Sequence, residues 1–240
     1  MFLFIKIILL FLYTLIMNND DIHALESIDK LQSYNSYVFE KILSKTTLNN
    51  VLDFGCGYGT LISYVKKKYN KEILGYDINE NATAILKEKN IKYINSLNEI
   101  NEGFDTIISS NVLEHIEDDQ KILDELNSLL KNEGLLVLYL PCSMKIWSNL
   151  DSLVGHYRRY TKKELNKKLV NSNFQIISTE YVDSIGWIIL FLSKIFKISL
   201  IYDTKKLIFY DKYVFQYLKL LDIFFKNLFG KNILAVAKKN

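Results

Sequence analysis

The run Val51-Leu52-Asp53-Phe54-Gly55-Cys56-Gly57-Tyr58-Gly59-Thr60 restricts the architecture of this chain more than any other stretch. A short apolar strand enters a turn with three glycines, and the next strand-like segment, 71–77, ends on Asp77. Gly55, Gly57 and Gly59 can take positive φ and let a ligand lie almost on the backbone. Asp77, at the C-terminal end of its strand, is suited to holding two vicinal ribose hydroxyls. The two features together predict a strand–turn–helix–strand unit of a parallel sheet that receives an adenosine-containing ligand.

The glycine spacing bears on which ligand. Dinucleotide dehydrogenases use G-x-G-x-x-G and aim a helix N-terminus at a pyrophosphate. Here the order is G-x-G-x-G, with Thr60 where the third dehydrogenase glycine would stand. Asp53 precedes the first glycine by two residues, awkward beside a pyrophosphate but tolerable beside a cation. No Gly-Lys-Ser/Thr follows, which excludes a P-loop. A nicotinamide-dependent dehydrogenase stays as the enzymatic alternative, and a tight turn without ligand as the plain one.

Composition narrows the field further. The 240 residues carry a net charge of +3 from lysines interleaved with acids, with no basic stripe for nucleic acid. Two cysteines, Cys56 and Cys142, make neither a disulfide framework nor a metal spacing, and no metal site is expected. That usage fits a reducing, cytoplasmic compartment. Proline occurs once, at Pro141, directly after the apolar run 135–140. Arginine occurs only at Arg158 and Arg159, in a chain whose other strong bases are all lysine. Two adjacent guanidiniums suggest a site wanting planar, bidentate donors; chance and surface pairing is the bland reading.

Residues 1–17 are nearly all apolar, broken by Lys6, at the lower limit for a membrane span. They read either as a membrane anchor or as a mis-assigned start, with 18–240 as the main domain. An amphipathic helix is expected over 22–47. Strands are then expected at 50–54, 72–77, 91–95, 104–110 and 134–140, and helices at 59–69, 80–89 and 118–131. Asn79 can cap the second of these helices, Asn90 can end it, and Gly134 can stop the third. Segments 174–183 and 231–238 read as two further strands. The apolar stretch 184–229 between them reads as helices packed over the sheet edge or lying in a membrane interface, with extra core or a dimer surface as the alternative.

The glycine turn and Asp77 resemble the cofactor site of class I S-adenosylmethionine-dependent methyltransferases, and the resemblance covers most of the chain. The run Phe104-Asp105-Thr106-Ile107-Ile108-Ser109-Ser110-Asn111-Val112-Leu113-Glu114-His115-Ile116 is similar to the fourth-strand motif of that class, in the branch of ubiquinone-biosynthesis enzymes. Leu135 to Pro141 resembles that branch's fifth strand, and Gly155-His156-Tyr157-Arg158-Arg159-Tyr160-Thr161 a motif bordering its acceptor pocket. The resemblance implies an α/β, Rossmann-like, doubly wound sheet of seven strands, mostly parallel with the last antiparallel. It implies a cofactor set of Asp53, Gly55, Cys56, Gly57, Gly59, Asp77, Ile78 and Asn111. In it Asp77 takes the ribose, Ile78 lies against the adenine and Asn111 faces the methionyl side.

A sulfonium already carries an activated methyl, so such a site chiefly aligns nucleophile, carbon and sulfur in line and excludes water. A base matters only where the acceptor must lose a proton. His156 is the candidate, as base or hydrogen-bond donor, with Tyr157, Arg158 and Tyr160 around the acceptor. His115 is expected to pack in the turn after the fourth strand. One arginine is expected to engage an anionic group on the acceptor or an acid of the fold. Thr161 and Glu164 form a capping box that starts a helix over 162–171.

The reading is thus a methyltransferase using S-adenosyl-L-methionine on a small-molecule or lipid-like acceptor, with no nucleic acid partner. The apolar insert, and the N-terminal run if real, favour an acceptor presented at a membrane. A non-catalytic, membrane-docked cofactor binder is the other alternative.

Overall fold

The computed structural model describes residues 30–100, 102–196 and 204–240. Seven strands form one sheet: β1 Val51–Phe54, β2 Leu74–Tyr76, β3 Tyr93–Ile94, β4 Phe104–Ser110, β5 Leu130–Pro141, β6 Phe174–Val182 and β7 Asn232–Lys239. Their order is β3-β2-β1-β4-β5-β7-β6. β1 to β5 pair parallel with their neighbours, and β7 runs antiparallel to β5 from Leu135↔Lys238 to Pro141↔Asn232. The chain lays β2 and β3 to one side of β1 and β4 to the other, so the strand order reverses between β1 and β4. Open α/β sheets bind ligands at such a point, beyond the C-terminal strand ends.

The central strands are rich in apolar residues because both faces are covered, although β1 carries Asp53 and β4 carries Asp105, Thr106, Ser109 and Ser110. Leu52, Ile107, Ile108, Leu136, Val137 and Leu138 are fully buried. Around them lie α1 Gln32–Leu43, α2 Thr60–Tyr69, α3 Glu80–Glu88, α4 Asp119–Leu129, α5 Asn149–Leu153 and α6 Lys162–Asn171. Asn79 caps α3 by accepting from the amides of Asn81 and Ala82, and Asn90 follows that helix with φ +52°. The Thr161–Glu164 capping box starts α6. Of the amphipathic stretch expected over 22–47, the described part forms the helix Gln32–Leu43, and residues 22–29 lie outside the described residues.

The junction of α4 and β5 departs from expectation. α4 ends at Leu129, and β5 begins at Leu130, which pairs with Phe104 before the register shifts to Thr106↔Leu135. Gly134 therefore stops no helix. It serves a close backbone approach instead: a Cβ there would lie 2.8 Å from the Lys131 carbonyl oxygen and 3.1 Å from that of Phe104.

The chain divides into two compact units. The larger, Phe39–Met144 with Leu150–Glu180 and Asn232–Asn240, holds nearly all of the sheet. The smaller comprises Tyr181–Lys231, Lys145–Asn149 and the described chain through Val38. It contains α7 Ser184–Ile195 and α8 Thr204–Tyr210, then a π turn over Asp211–Phe215 and further helical turns to Phe225. Ile185 and Ile189 form its core with Ile188, Leu192, Tyr210, Leu218 and Leu221. Among the described residues no helix is long and apolar enough to cross a membrane. The segment 1–17 lies outside the described residues.

Candidate active site

The turn after β1 is built by backbone demands. Gly55, Gly57 and Gly59 have φ of +76°, +51° and +70°. A Cβ on Gly55 would meet Val112 Cγ2 at 2.3 Å, and one on Gly59 would meet Ile91 Cδ1 at 2.5 Å. Gly57 differs: a Cβ there would find nothing within 4 Å. Two of the glycines serve packing, and the middle one borders open space.

The amides of Gly55, Cys56, Gly57 and Gly59 are already engaged. Those of Gly55 and Cys56 both donate to the Tyr76 carbonyl, at 2.8 and 3.0 Å. The Gly57 amide donates to Asp77 Oδ2 at 2.8 Å, and the Asn79 amide to Asp77 Oδ1 at 2.9 Å. Each Asp77 oxygen thus takes one backbone proton and keeps acceptor capacity for a ligand. Ile78, next along, is 75% exposed. Asn111 is exposed at the end of β4 with φ +53°, its amide donating to the Tyr139 carbonyl.

Asp53 is the electrostatic centre of the turn. It is 3% exposed, and burial, then the nearby charge of Asp77, push its carboxyl up to about 7. A buried acid this poorly compensated favours a cation brought next to it. The Cys56 thiol is pushed well above its ordinary range by burial, and Cys142, also buried, up to about 12. Neither is a thiolate nucleophile at neutral pH.

A second cluster sits in the larger unit where the turn after β4 meets the loop before α6. His156 Nδ1 lies 2.8 Å from Asp151 Oδ1, which also accepts from Arg159 Nε at 2.7 Å. An oxygen receiving a guanidinium proton receives the imidazole proton too, which leaves the lone pair on Nε2. That nitrogen is 3.8 Å from Glu114 Oε1. Glu114 is fully buried, and neither of its carboxyl oxygens has a hydrogen-bond partner among the described residues. Burial raises its carboxyl to about 8, Arg159 drawing it down and Asp151 pushing it up. The His115 and His156 rings meet edge-on at 4.6 Å.

The remaining predicted acceptor residues separate. Tyr157 is exposed, with the Arg158 guanidinium 5.6 Å from its ring centre. Arg158 forks onto the carbonyls of Ile116 and Glu117, each at 2.7 Å, and pairs with Asp119 at 3.0 Å. Tyr160 is buried, its hydroxyl donating to Asp119 Oδ2 at 2.8 Å. Burial alone would raise Asp119, but hydrogen bonds from Lys168 and Tyr160 and the charge of Arg158 outweigh it and hold the carboxyl below its usual range. Both arginines therefore engage acids of the fold, and only His156 and Tyr157 keep atoms directed elsewhere.

The fold also makes a grouping that the sequence spacing does not display. Donor atoms of Glu114, His115 and His156 lie within 4.8 Å of one another, a set that could hold a metal ion. The expectation of no metal rested on spacing along the chain, and this cluster joins two loops far apart in it. Asp151 and Glu114 are the functional candidates that sequence reasoning missed. Glu114 stands inside the quoted fourth-strand motif, but only its burial without a partner marks it.

Comparison with known proteins gives the same architecture. Residues 25–179 match the family model described as methyltransferase domain. Cyclopropane-fatty-acyl-phospholipid synthase of Escherichia coli K12 is 26% identical over 139 residues, 54% of this chain and 36% of that protein. The chain thus spans about a third of the length of this curated relative. The magnesium protoporphyrin IX methyltransferase of Synechocystis PCC 6803, solved with SAH bound, superposes with a TM-score of 0.54 at 17% identity, covering 89% of this chain and 84% of that one. A cyclopropane synthase from Mycobacterium tuberculosis gives 0.55 at 15% identity, covering 85% and 84%. The structural likenesses speak for the fold, and the family match spans well over half of the sequence. The chain belongs to the methyltransferase domain family, within the class I, S-adenosylmethionine-dependent methyltransferases.

Proposed function

We propose that this chain transfers a methyl group from S-adenosylmethionine to a small or lipid-like acceptor that loses a proton, with residues 18–240 as the methyltransferase domain and 184–229 as its helical insert. The observation that carries the reading is the turn after β1. It combines the buried Asp53 carboxyl, the half-satisfied Asp77 carboxylate and open space at Gly57. These residues fit a cationic nucleoside: Asp77 accepts from ribose hydroxyls, exposed Ile78 offers an apolar face to adenine, and Asp53 answers positive charge. A pyrophosphate fits poorly, because it would meet two acids, and the amides of Gly55, Cys56 and Gly57 are spent on Tyr76 and Asp77.

When bound, S-adenosylmethionine supplies a methyl already activated by its cationic sulfur. The residues of the chain then have to orient the acceptor, exclude water and take a proton. His156 is held by Asp151 with its Nε2 lone pair available, which suits it to accept that proton. The resulting imidazolium stays next to the Asp151 carboxylate, which offsets the new charge. Tyr157 and His115 are exposed side chains at this cluster that an acceptor would meet.

A lipid-like acceptor is supported by the Escherichia coli relative, which is named for a fatty-acyl phospholipid. The experiment is twofold. Calorimetry should show S-adenosylhomocysteine binding and NADH not. Methyl-labelled S-adenosylmethionine added with the protein to a cell extract should then label a component, and lipid extraction should carry the label into the organic phase. Tight NADH binding without S-adenosylhomocysteine binding restores the dehydrogenase reading. Cofactor binding without label transfer leaves a non-catalytic binder.

A further inference from the structure

The helical turns from Thr204 to Phe225, with the loop that follows, present an outward face of unusual composition. Phe209, Tyr213, Tyr217, Leu220, Phe224 and Leu228 recur every three or four residues and are all exposed, Tyr217 to 71% and Phe224 to 73%. The opposite side is well used. Phe215 is buried edge-on against Tyr34 and Tyr37, while Leu218 and Leu221 pack on Ile185 and Ile189. The exposed stripe is therefore the surplus of an already packed helical segment, and a row of exposed aromatic and aliphatic side chains marks an interaction surface.

Charge on this segment is one-sided. Lys212 and Lys219 fall among these exposed aromatics, the Lys212 ammonium 5.1 Å from the Tyr213 ring centre. The only acids between 204 and 231 are Asp211 and Asp222, and both are buried. Asp211 accepts from the amides of Ser33 and Tyr34 at 2.8 and 2.7 Å, capping α1. Asp222 accepts from the amides of Asp183 and Ser184 at 2.7 and 2.8 Å, and from the Tyr37 and Ser184 hydroxyls. Both carboxylates of 204–231 are turned inward, so what this described segment presents outward is aromatic, aliphatic and positive.

We propose that this face is a docking surface for an anionic lipid bilayer, lying in the headgroup region with its apolar stripe toward the acyl chains. Such a surface wants an apolar band, tyrosines at the water boundary and lysines reaching anionic headgroups. Charge complementarity selects the bilayer: Lys212 and Lys219 beside the stripe, with Asp211 and Asp222 buried, repel an identical face and attract phosphate. The inference is independent of the chemistry of the larger unit, so a methyltransferase acting on a soluble acceptor would leave it intact.

The test places an environment-sensitive fluorophore on the full chain at Tyr217→Cys, since both native cysteines are buried. Vesicles of phosphatidylcholine with phosphatidylglycerol should shift the emission to the blue, and phosphatidylcholine alone should do so far less. High salt should reverse the shift by screening. Adding Lys212→Gln and Lys219→Gln should weaken partitioning roughly thirtyfold. Absence of a shift with anionic vesicles overturns the proposal, because the dye reports on this face alone. So does a shift that grows with protein concentration without vesicles, which would assign the face to a second copy. Partitioning unchanged by the lysine substitutions overturns it as well.

Discussion

His156 Nδ1 and Asp151 Oδ1 lie 2.8 Å apart, and the same Asp151 oxygen holds the Arg159 Nε. One carboxylate therefore sets the tautomer of the candidate base and neutralises a buried guanidinium. Its two duties separate on substitution. His156→Gln removes the base and leaves the Asp151–Arg159 pair in place, so kcat should fall roughly 10²–10⁴-fold while cofactor affinity is kept. Single-turnover transfer and calorimetry on the same variant check both halves.

Asp151→Asn should do more damage. It leaves the Arg159 charge buried beside a neutral amide and frees His156 to take the wrong tautomer. Unpairing a buried ion costs about 3–5 kcal/mol, so chemical denaturation should show a large loss of stability that His156→Gln lacks. If Asp151→Asn were as stable as the parent, the pair would contribute little to the fold.

The buried acids make the ligand-free protein sensitive to alkali. Asp53, raised to about 7, and Glu114, raised to about 8, both bind a proton more tightly folded than unfolded. Stability then falls as pH rises, from the ordinary carboxyl range near 4 through these raised values. A cation beside Asp53 reverses its share, so affinity for S-adenosylmethionine should climb between about pH 5 and pH 8. Asp53→Asn should flatten that climb, and Tm of the ligand-free variant should drop less across the window. Calorimetric titrations at several pH values decide it.

How much of this was legible in the sequence depends on how local the demand is. A glycine required by φ, an acid at a strand end and the Thr161–Glu164 box are satisfied by near neighbours, and the chain displays them. Two adjacent arginines announced planar donors, but left open whether those donors served a ligand or the fold. The start of β5 at Leu130 was hidden because the pairing partner, Phe104, lies in another strand across a register shift. The outward stripe of the insert, spaced at three or four residues, is interleaved with Phe215, Leu218 and Leu221, which pack inward, so the chain alone does not tell one face from the other. The Glu114–His115–His156 grouping depends on two loops meeting, which no spacing rule encodes.

Arg158 tests whether the acceptor loop is held by geometry or by charge. Its two terminal nitrogens each reach a carbonyl at 2.7 Å, Ile116 and Glu117, so a planar fork is in use. Lysine keeps the charge toward Asp119 but reaches only one carbonyl. Arg158→Lys should therefore loosen the turn carrying Glu114 and His115, raising KM for the acceptor several-fold with cofactor affinity unchanged. Faster hydrogen exchange in the peptide spanning 113–118 would accompany it; unchanged exchange would assign the loop's order to Asp119 and Tyr160 instead.

The three glycines of the turn should fail in different ways. At Gly55 a methyl would press into Val112 Cγ2 at 2.3 Å and also hold φ at +76°, so Gly55→Ala should cost about 2–5 kcal/mol of stability. At Gly57 the same methyl enters open space and the cost is the positive φ alone, about 1–2 kcal/mol. That space is where the nucleoside is proposed to lie, so Gly57→Ala should stay folded at 25 °C yet lose S-adenosylhomocysteine affinity by tenfold or more. Thermal unfolding with calorimetry on the two variants separates packing from binding. Equal affinity in Gly57→Ala and the parent would place the ligand elsewhere than on this turn.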